Sequence, residues 1–559
     1  MFNLQKMKIM KTKALYLTVV LGMILGLASC DLDYFPSDEL NSNVLLSDEG
    51  GAEYIIDGCY AMLKEEYEYI EYASSNTYVR HYFQCAEFPA DNTSLSGRTT
   101  DPLYQATCYK MTDNLKNIGL PWWIGYKVIY TANSVIEGFE EGKTTECDQL
   151  LGEAYFLRAM IHFNLVTLFA KPYILGRDNL GIPLRISTNT EETKRNSVGE
   201  VYDQVVVDLR KAADLMNKPR GNAGYATKNA ALGLLSRVYL YMEENQKVLD
   251  VINEMGDPVS NLDPNYETYF ANALNSKETL FAVAHTALET RGQGSIGSMY
   301  INDGIGWGEV YCSDPLLNLY ERYPEDIRRS YIIPNYAASG KDIVYFAIPS
   351  EDDFRSDITA EVKTDASGKY CEIEGKKYPI KDMTVNGEYT EHYVEYGGEK
   401  CNARFDKALM QRNTFPNYYI SKFSYQDGDP MLSSPVFIRW AEILLNRAEA
   451  EAKLGQKAKA LEDVNAIRRR AKISEAGMFS ESKMHGYTDV LDVVLDERRM
   501  ELAFEGHRMF DVYRNRRDMD RRFGGVQPWE VIPYTADKIQ YPIPYGEHSV
   551  SGIQQNPGY

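Results

Sequence analysis

The chain has 559 residues, of which 44% are hydrophobic and 25% charged, a composition typical of a globular protein that can bury a large core. Its formal net charge of −20 would repel phosphate backbones and anionic lipid, which argues against nucleic acid as a partner. The 42 tyrosines supply flat apolar rings with a hydroxyl, which suit either stacking surfaces or partly buried core positions.

The N-terminus has the pattern of a secretory signal. Four lysines lie within the first 13 residues, and residues 14–28 are nearly all apolar or small. This stretch is too short for a membrane-spanning helix, and it ends in Leu27-Ala28-Ser29-Cys30. That ending resembles a bacterial lipobox, which implies cleavage before Cys30 and acylation of this cysteine. A plain signal peptide followed by a coincidental cysteine is the alternative.

The residues after Cys30 bear on location. Asp31, Asp33 and Asp38 resemble the acidic signal that exports lipoproteins of the Bacteroidetes to the cell surface. No later segment has an uncharged apolar run long enough to span a bilayer. We therefore expect residues 1–29 to be a lipoprotein signal peptide. The mature residues 30–559 would be held on the outer membrane by lipid and face the cell exterior.

Helical periodicity dominates the first half of the mature chain. In the clearest example, Ala154, Leu157 and Ile161 recur at helical spacing, and Pro172 ends the pattern. Residues 67–120 are rich in Tyr, Ser, Asn and Thr and are predicted to be loop-like. The predicted helices are 51–63, 123–139, 153–169, 198–216, 227–242 and 246–255.

The pattern changes in the middle of the chain and then returns. Residues 262–435 are rich in Gly, Pro and Tyr and are predicted to form loops, short strands such as 343–346 and 418–420, and few helices. Helices are predicted again at 437–454, 456–471 and 488–513, before a Pro-rich extended tail.

These elements predict a single mainly α domain over residues 30–559. Its helical parts would cover about 50–260 and 437–515, around a loop-rich insert at about 262–435 that contains short strands. The recurring helix pairs indicate degenerate tetratricopeptide-like repeats that form a platform. In the best copy, the small residues Ala448 and Ala460 would let two helices approach closely. Generic amphipathic helix pairs are the alternative.

Several motifs were considered as catalytic, cofactor or metal sites. The seven cysteines after Cys30 contain no C-x-x-C pair and the histidines do not cluster, so we expect no metal site. Because the number of these cysteines is odd, at least one thiol is free unless it pairs between chains. Residues 292–297 match G-x-G-x-x-G, but a polar run precedes them and Gly304 and Gly306 follow, so a flexible loop is predicted. No cofactor is expected.

Closely spaced acids on a predicted helix are the remaining enzymatic candidate. Glu497, Glu501 and Glu505 recur at i,i+4 and are flanked by Arg498 and Arg499. Such carboxylates could serve general acid–base chemistry, but salt bridges between packed helices are the simpler interpretation. Neither H-E-x-x-H nor G-x-S-x-G is present, so we predict no catalytic residues and no enzymatic activity.

Four separated segments, in this order along the chain, resemble the SusD/RagB family of outer-membrane nutrient-binding lipoproteins. They are GEAYFLRA at 152–159, IRWAEILL at 438–445, ERRMELAFEGHR at 497–508, and the chain end with YPIP at 541–544 and QNPGY at 555–559. Ala170-Lys171-Pro172 and Tyr545-Gly546 depart from the family pattern and put local turn geometry in doubt.

The resemblance implies a binding protein whose helical platform packs against a SusC-like TonB-dependent transporter. The remaining surface would bind an oligo- or polysaccharide at the cell surface and deliver it to that transporter. A peptide or another nutrient on the same scaffold is the alternative ligand. A surface hydrolase is a third reading, for which the sequence offers no nucleophile, metal or paired acids.

The ligand site is predicted in aromatic loops, with Trp307 as its leading anchor. Glycines on both sides, in Gly304-Ile305-Gly306-Trp307-Gly308, disfavour helix and strand and would leave the indole exposed. The alternative is that Trp307 packs its loop onto the core. The other predicted ligand residues are Tyr300 and Tyr311 in the same segment, and Tyr78, Tyr82, Tyr104 and Asn92 from the first loop-rich segment.

Overall fold

The computed structural model describes residues 49–66, 76–97, 103–189, 194–349 and 354–559. The predicted signal peptide and Cys30 lie outside these ranges and stay predictions. Among the helices in these ranges, none combines the length and the apolar character that crossing a bilayer requires.

The first half of the described chain is helical. The long helix α5 is buried on nearly every side, and the Thr144 hydroxyl caps its start by accepting a hydrogen bond from the Cys147 amide at 3.0 Å. A capping box of Ser197 and Glu200 begins α6. The helices are α1 Glu49–Met62, α2 Tyr78–Glu87, α3 Leu103–Thr107, α4 Lys116–Gly138, α5 Thr145–Phe169, α6 Val198–Leu215, α7 Lys228–Tyr241 and α8 Asn245–Met255.

Helices α2 and α3 correct the prediction that residues 67–120 are loop-like. All ten residues of α2 are buried, including polar ones such as His81 and Gln84. Val79, Phe83 and Ala86 do recur at helical spacing, but the helix has only ten residues and its buried polar residues give the segment the composition of a loop.

The middle of the chain is more regular than predicted. An antiparallel sheet of eight strands has the order β17-β6-β5-β11-β10-β9-β8-β7. One face buries a small cluster that includes Val344, Phe346 and Val394, while the other carries many charged side chains. Its strands are β5 Asp342–Pro349, β6 Phe354–Glu361, β7 Lys363–Asp365, β8 Gly368–Ile373, β9 Lys376–Val385, β10 Tyr389–Tyr396, β11 Glu399–Lys407 and β17 Gly525–Pro528.

Shorter elements surround this sheet in small two-stranded pairings. The helices among them are α9 Tyr266–Tyr269 and α10 Asp314–Glu321. The strands are β1 Thr93–Leu95, β2 Thr279–Ala282, β3 Val310–Cys312, β4 Ile332–Pro334, β12 Gln411–Arg412, β13 Phe415–Pro416, β14 Tyr418–Ile420, β15 Val436–Arg439, β16 Met519–Asp520 and β18 Val531–Ile532.

The C-terminal part returns to helices. Ala448 and Ala460 are fully buried where α11 meets α12, in agreement with the predicted close helix pair. The single helix predicted over 488–513 is wrong, because the chain breaks at Phe504 and Gly506, both with positive φ. The Gly506 amide then donates to the Glu87 carboxylate at 3.0 Å. The helices are α11 Trp440–Lys453, α12 Lys457–Arg470, α13 Val490–Glu501, α14 Arg508–Arg514 and α15 Tyr545–Val550.

Buried ion pairs join these layers. The Arg439 guanidinium bonds to the carboxylates of Glu278, Glu501 and Glu505 at 2.6 to 2.8 Å, and all four side chains are almost fully buried. Burial by itself raises the pKa of Glu501, but the charges of Arg470 and Arg439 outweigh it and hold that pKa well below its usual range. The carboxylates of α13 therefore act as packing groups, as the sequence interpretation predicted.

The C-terminal residues pin the tail to α5. The Asn556 side-chain amide donates to the carbonyls of Phe169 and Tyr541 at 2.8 and 2.7 Å. Arg195 donates to the carbonyls of Gly181 and Gln554. The QNPGY segment thus holds the C-terminal tail against the end of α5. The seven described cysteines are all buried, where a thiol packs like a small apolar side chain.

Candidate functional site

A short strand pairing joins the first loop-rich segment to the segment that carries Trp307. Strand β1 pairs antiparallel with β3, so that Ser94 lies opposite Tyr311. The Ser96 amide extends this ladder by donating to the Glu309 carbonyl at 2.9 Å. The two segments that the sequence analysis selected therefore meet, although they are separated by more than 200 positions.

The backbone of the Trp307 loop is fixed by glycines and hydrogen bonds. Gly304 and Gly308 have φ of +79° and +52°, which favour glycine. At Gly306 an added Cβ would lie 2.0 Å from the Ile301 carbonyl oxygen. The Trp307 amide donates to the Ser298 carbonyl at 2.6 Å. The position of the indole is therefore set by its own loop.

The indole of Trp307 is 45% exposed, and it lies in a partly apolar patch. Ile305 in the same loop is 49% exposed and Tyr425 is 36% exposed. The Tyr425 hydroxyl donates to the Asp303 carboxylate at 3.1 Å, which fixes this ring beside the loop. We call the patch formed by Asp303, Ile305, Trp307, Arg412 and Tyr425 the Trp307 surface.

Polar groups from the β12–β13 hairpin complete this surface. Arg412 donates to the Trp307 carbonyl at 2.8 Å and also bonds to the Glu309 carboxylate. The side-chain amide of Asn413 donates to the Ser96 carbonyl at 2.6 Å. The Trp307 surface thus combines an open ring face with a guanidinium and a carboxylate, the groups that recognise hydroxyl-bearing rings.

Most of the other predicted ligand tyrosines belong to the core. Tyr300 is 1% exposed and stacks on Phe423 at 5.8 Å. The rings of Tyr78 and Tyr82 are stacked on each other at 6.0 Å, and both are buried. Their burial leaves no ring face open to a ligand.

Tyr311, Asn92 and Tyr104 also have packing partners. Tyr311 is 2% exposed, with its ring edge against Tyr419 at 5.7 Å. Asn92 is fully buried, and its side-chain oxygen accepts from Arg499 at 2.9 Å. Tyr104 is partly buried against the core. Of the seven predicted ligand residues, only Trp307 is exposed.

Of the five residues of the Trp307 surface, only Trp307 was predicted as a ligand residue, and two of the others come from distant segments. Arg412 and Tyr425 follow Trp307 by more than 100 positions, and nothing in their local sequence points to that loop. Asp427-Gly428 after Tyr425 signals a turn, and Tyr425 and Asp427 both have positive φ. That signal locates a loop but gives no indication of its neighbours.

The G-x-G-x-x-G match at residues 292–297 supports the same surface. It forms two short 3₁₀ turns, Gly292–Gly294 and Gly297–Met299, without a preceding strand. Gln293 donates to the Ile305 carbonyl at 3.0 Å. A Cβ on Gly297 would lie 2.3 Å from the Phe423 carbonyl oxygen, so this glycine serves close packing.

Comparison with protein-family models identifies the class. Residues 277–559 match the model of the SusD family, and residues 35–240 match a model described as starch-binding associating with outer membrane. The chain belongs to the SusD family. SusD-like protein P2 of Formosa agariphila is 25% identical over 479 residues, which cover 81% of this chain and 82% of that protein. SusD-like protein P38 of the same organism is 24% identical over 462 residues, 80% of this chain and 82% of that protein.

Solved structures share the fold over nearly the whole chain. A SusD superfamily protein from Bacteroides thetaiotaomicron has a TM-score of 0.69 at 24% identity and covers 91% of this chain and 99% of its own. A putative sugar-binding protein from Bacteroides vulgatus has a TM-score of 0.66 at 21% identity, covering 91% and 98%. The predicted fold, mainly α with a strand-containing insert, is confirmed.

Proposed function

We propose that this protein binds an oligo- or polysaccharide at the outer face of the outer membrane and passes it to a SusC-like TonB-dependent transporter. Membership of the SusD family and the structural likeness to a putative sugar-binding protein support glycan as the ligand class. The lipid anchor at Cys30 would keep the protein beside its transporter and raise the effective concentration of the two partners.

The observation that carries the proposal is the exposed indole of Trp307 on a fixed loop. A large apolar ring normally gains free energy by burial, yet here the backbone is held by hydrogen bonds to Ser298 while 45% of the side chain remains open. Because the backbone that carries the indole is already ordered, stacking on the apolar face of a sugar costs less conformational entropy than it would on a flexible loop.

Replacing the indole tests this role. Trp307→Ala should weaken glycan binding roughly 5- to 150-fold, if stacking contributes about 1–3 kcal/mol as at single-strand nucleic-acid sites. Thermal stability should stay nearly unchanged, because the lost ring is half exposed. Tyr54→Ala, at a 67% exposed ring on α1, is the matched control and should retain full affinity.

The measurement is binding to a glycan array, followed by titration with the best ligand. A clear drop in melting temperature, or unaltered affinity of the Trp307 variant, would show that the indole is a packing residue. Parallel screening of a peptide library separates glycan from peptide, the alternative ligand for this scaffold. Loss of polymer mass during incubation would instead indicate a hydrolase.

The partner is tested by extraction in mild detergent and affinity purification of the full-length protein. We expect a large β-barrel transporter to be recovered in stable association. Repeated recovery of the protein alone would contradict the delivery role while leaving glycan binding intact.

A further inference from the structure

A second aromatic cleft lies along α4, and it shares no residue with the Trp307 surface. Its volume is about 200 Å³, and α4, residues 183–187 and the C-terminal tail all contribute to its lining. Three rings form a row on one side of α4, since Trp122, Tyr126 and Tyr130 are spaced at i, i+4 and i+8. Trp123 lines the cleft from the next helical position, but the Lys127 ammonium lies 3.8 Å from the centre of its ring, so this ring is not offered as a stacking face.

The floor of this cleft is rigid. Trp122 is 2% exposed, and its ring packs edge-on against Phe169 at 5.0 Å and tilted against Tyr126 at 5.1 Å. The Tyr126 hydroxyl donates to the Pro183 carbonyl at 2.7 Å, which holds the opposite wall. Tyr130 at the outer end is 52% exposed. Trp122 is therefore the buried base of the cleft, and the half-buried Tyr126 and the exposed Tyr130 are the rings that can face a ligand.

The walls are held by hydrogen bonds. The side-chain amide of Asn133 donates to the carbonyls of Arg185 and Ser187 at 3.2 and 2.9 Å. The tail that carries Glu547 is fixed by the bond from Arg195 to the Gln554 carbonyl. These bonds place the Arg185 guanidinium and the Glu547 carboxylate at the edge of the aromatic row.

The side chains of Glu547 and Arg185 can form further hydrogen bonds with a ligand. Burial raises the pKa of Glu547, and the charge of Arg185 counteracts that effect. Within the described ranges, no side chain donates a hydrogen bond to the Glu547 carboxylate, and none accepts from the Arg185 guanidinium. One group can accept and the other can donate, so together they match hydroxyls, which do both. Their opposite charges favour a neutral ligand.

We propose that this aromatic cleft is a second carbohydrate site, which takes one neutral sugar ring of a bound glycan. The proposal rests on the glycan-binding function given above. The sugar ring would stack on Tyr126 and Tyr130 while its hydroxyls bond to Glu547 and Arg185. The volume is below that of pockets for drug-sized ligands, which limits the occupant to about one ring.

The test compares the full-length wild type with four variants by affinity electrophoresis in gels that contain starch, xyloglucan or galactomannan. Tyr130→Ala removes an exposed stacking face, and Glu547→Gln removes the acceptor charge at nearly constant shape. Trp307→Ala reports on the first site. Val550→Ala, at an 83% exposed position on the same short helix as Glu547, is the control.

We expect Tyr130→Ala to weaken binding to the retarding polysaccharide roughly fivefold or more, with unchanged melting temperature. Glu547→Gln should weaken it as well, and Val550→Ala should not. Combining Tyr130→Ala with Trp307→Ala should multiply the two losses, because the sites share no residue.

Three results would overturn the inference, and they are distinguishable. If Trp307→Ala weakens binding while Tyr130→Ala and Glu547→Gln match the wild type, the cleft is not a sugar site and the proposed function stands. If Tyr130→Ala instead reduces recovery of the transporter at unchanged glycan binding, the cleft belongs to the protein partner. If the wild type is not retarded by any polysaccharide, the proposed glycan function fails and the second site fails with it.

Discussion

Removing the guanidinium of Arg439 should destabilise the fold strongly. Arg439 uses all five of its N–H donors within the protein, to Glu278, to the carboxylate and carbonyl of Glu501, and twice to Glu505. Arg439→Met would keep a similar apolar stem but leave these buried acceptors short of a cation. Breaking a buried ion pair on one side typically costs about 3–5 kcal/mol.

The surrounding charges place the expected loss at the lower end of that range. Glu501 keeps Arg470 and Arg328, and Glu505 keeps Lys422 at 2.7 Å. We therefore expect Arg439→Met to lower the free energy of unfolding by about 3 kcal/mol, measured by urea denaturation at neutral pH.

A surface pair provides the control. Arg177 and Asp203 bond at 2.6 Å, but both side chains are about half exposed. Arg177→Met should therefore change the free energy of unfolding far less than Arg439→Met does. If Arg439→Met loses no more than Arg177→Met, the buried cluster is not the link between layers described above, and the reasoning is refuted.

Four further predictions concern the response to pH, the lipid anchor and the Trp307 loop. Arginines hold the pKa of Glu501 below its usual range, so the folded state binds fewer protons than the unfolded chain. The free energy of unfolding, measured by urea denaturation at stepwise lower pH, should therefore fall as the pH drops below roughly 5. Burial raises the pKa of Glu87 to about 7, so Glu87→Gln should stabilise the protein above pH 7 but not near pH 5; an equal effect at both would contradict this. Cys30→Ala should release the protein from the membrane fraction on cell fractionation, and unchanged retention would refute acylation of this cysteine. Gly306→Ala should cost about 1–3 kcal/mol in unfolding experiments, whereas Gly58→Ala, where an added Cβ meets nothing, should be nearly neutral.

The helices could be predicted from the sequence wherever one face is apolar or a cap is encoded. Helix α6 was predicted at 198–216 and spans Val198–Leu215, because Ser197 and Glu200 form its capping box and the apolar positions recur every turn. Helix α2 escaped prediction because its polar residues are buried by distant segments. The break between α13 and α14 escaped because Phe504 adopts a positive φ, which no local preference favours.

The residues of the candidate site, like the helices, could be predicted only where the local sequence carries a signal. The exposure of Trp307 agrees with what its glycine neighbours indicate, since those glycines fix a turn that faces solvent. Isolated tyrosines carry no such local signal. Tyr300 and Tyr82 are buried because Phe423 and Phe437, more than 100 positions away, pack on their rings. The aromatic cleft on α4 was not predicted, because its polar groups come from distant segments, Arg185 from residues 183–187 and Glu547 from the C-terminal tail.

The pinning of early segments by late ones has a consequence for how the chain folds. The Glu87 carboxylate receives its hydrogen bond from Gly506, 419 residues away, and Asp91 is paired with Arg508 over 417 residues. Tyr541 donates to the Cys85 carbonyl across 456 residues. Loops of this length close slowly and against entropy. During synthesis, α2 and the residues that follow it therefore cannot complete their native contacts until almost the entire chain has been made. A polypeptide truncated near its C-terminus would lack the partners that hold this early segment.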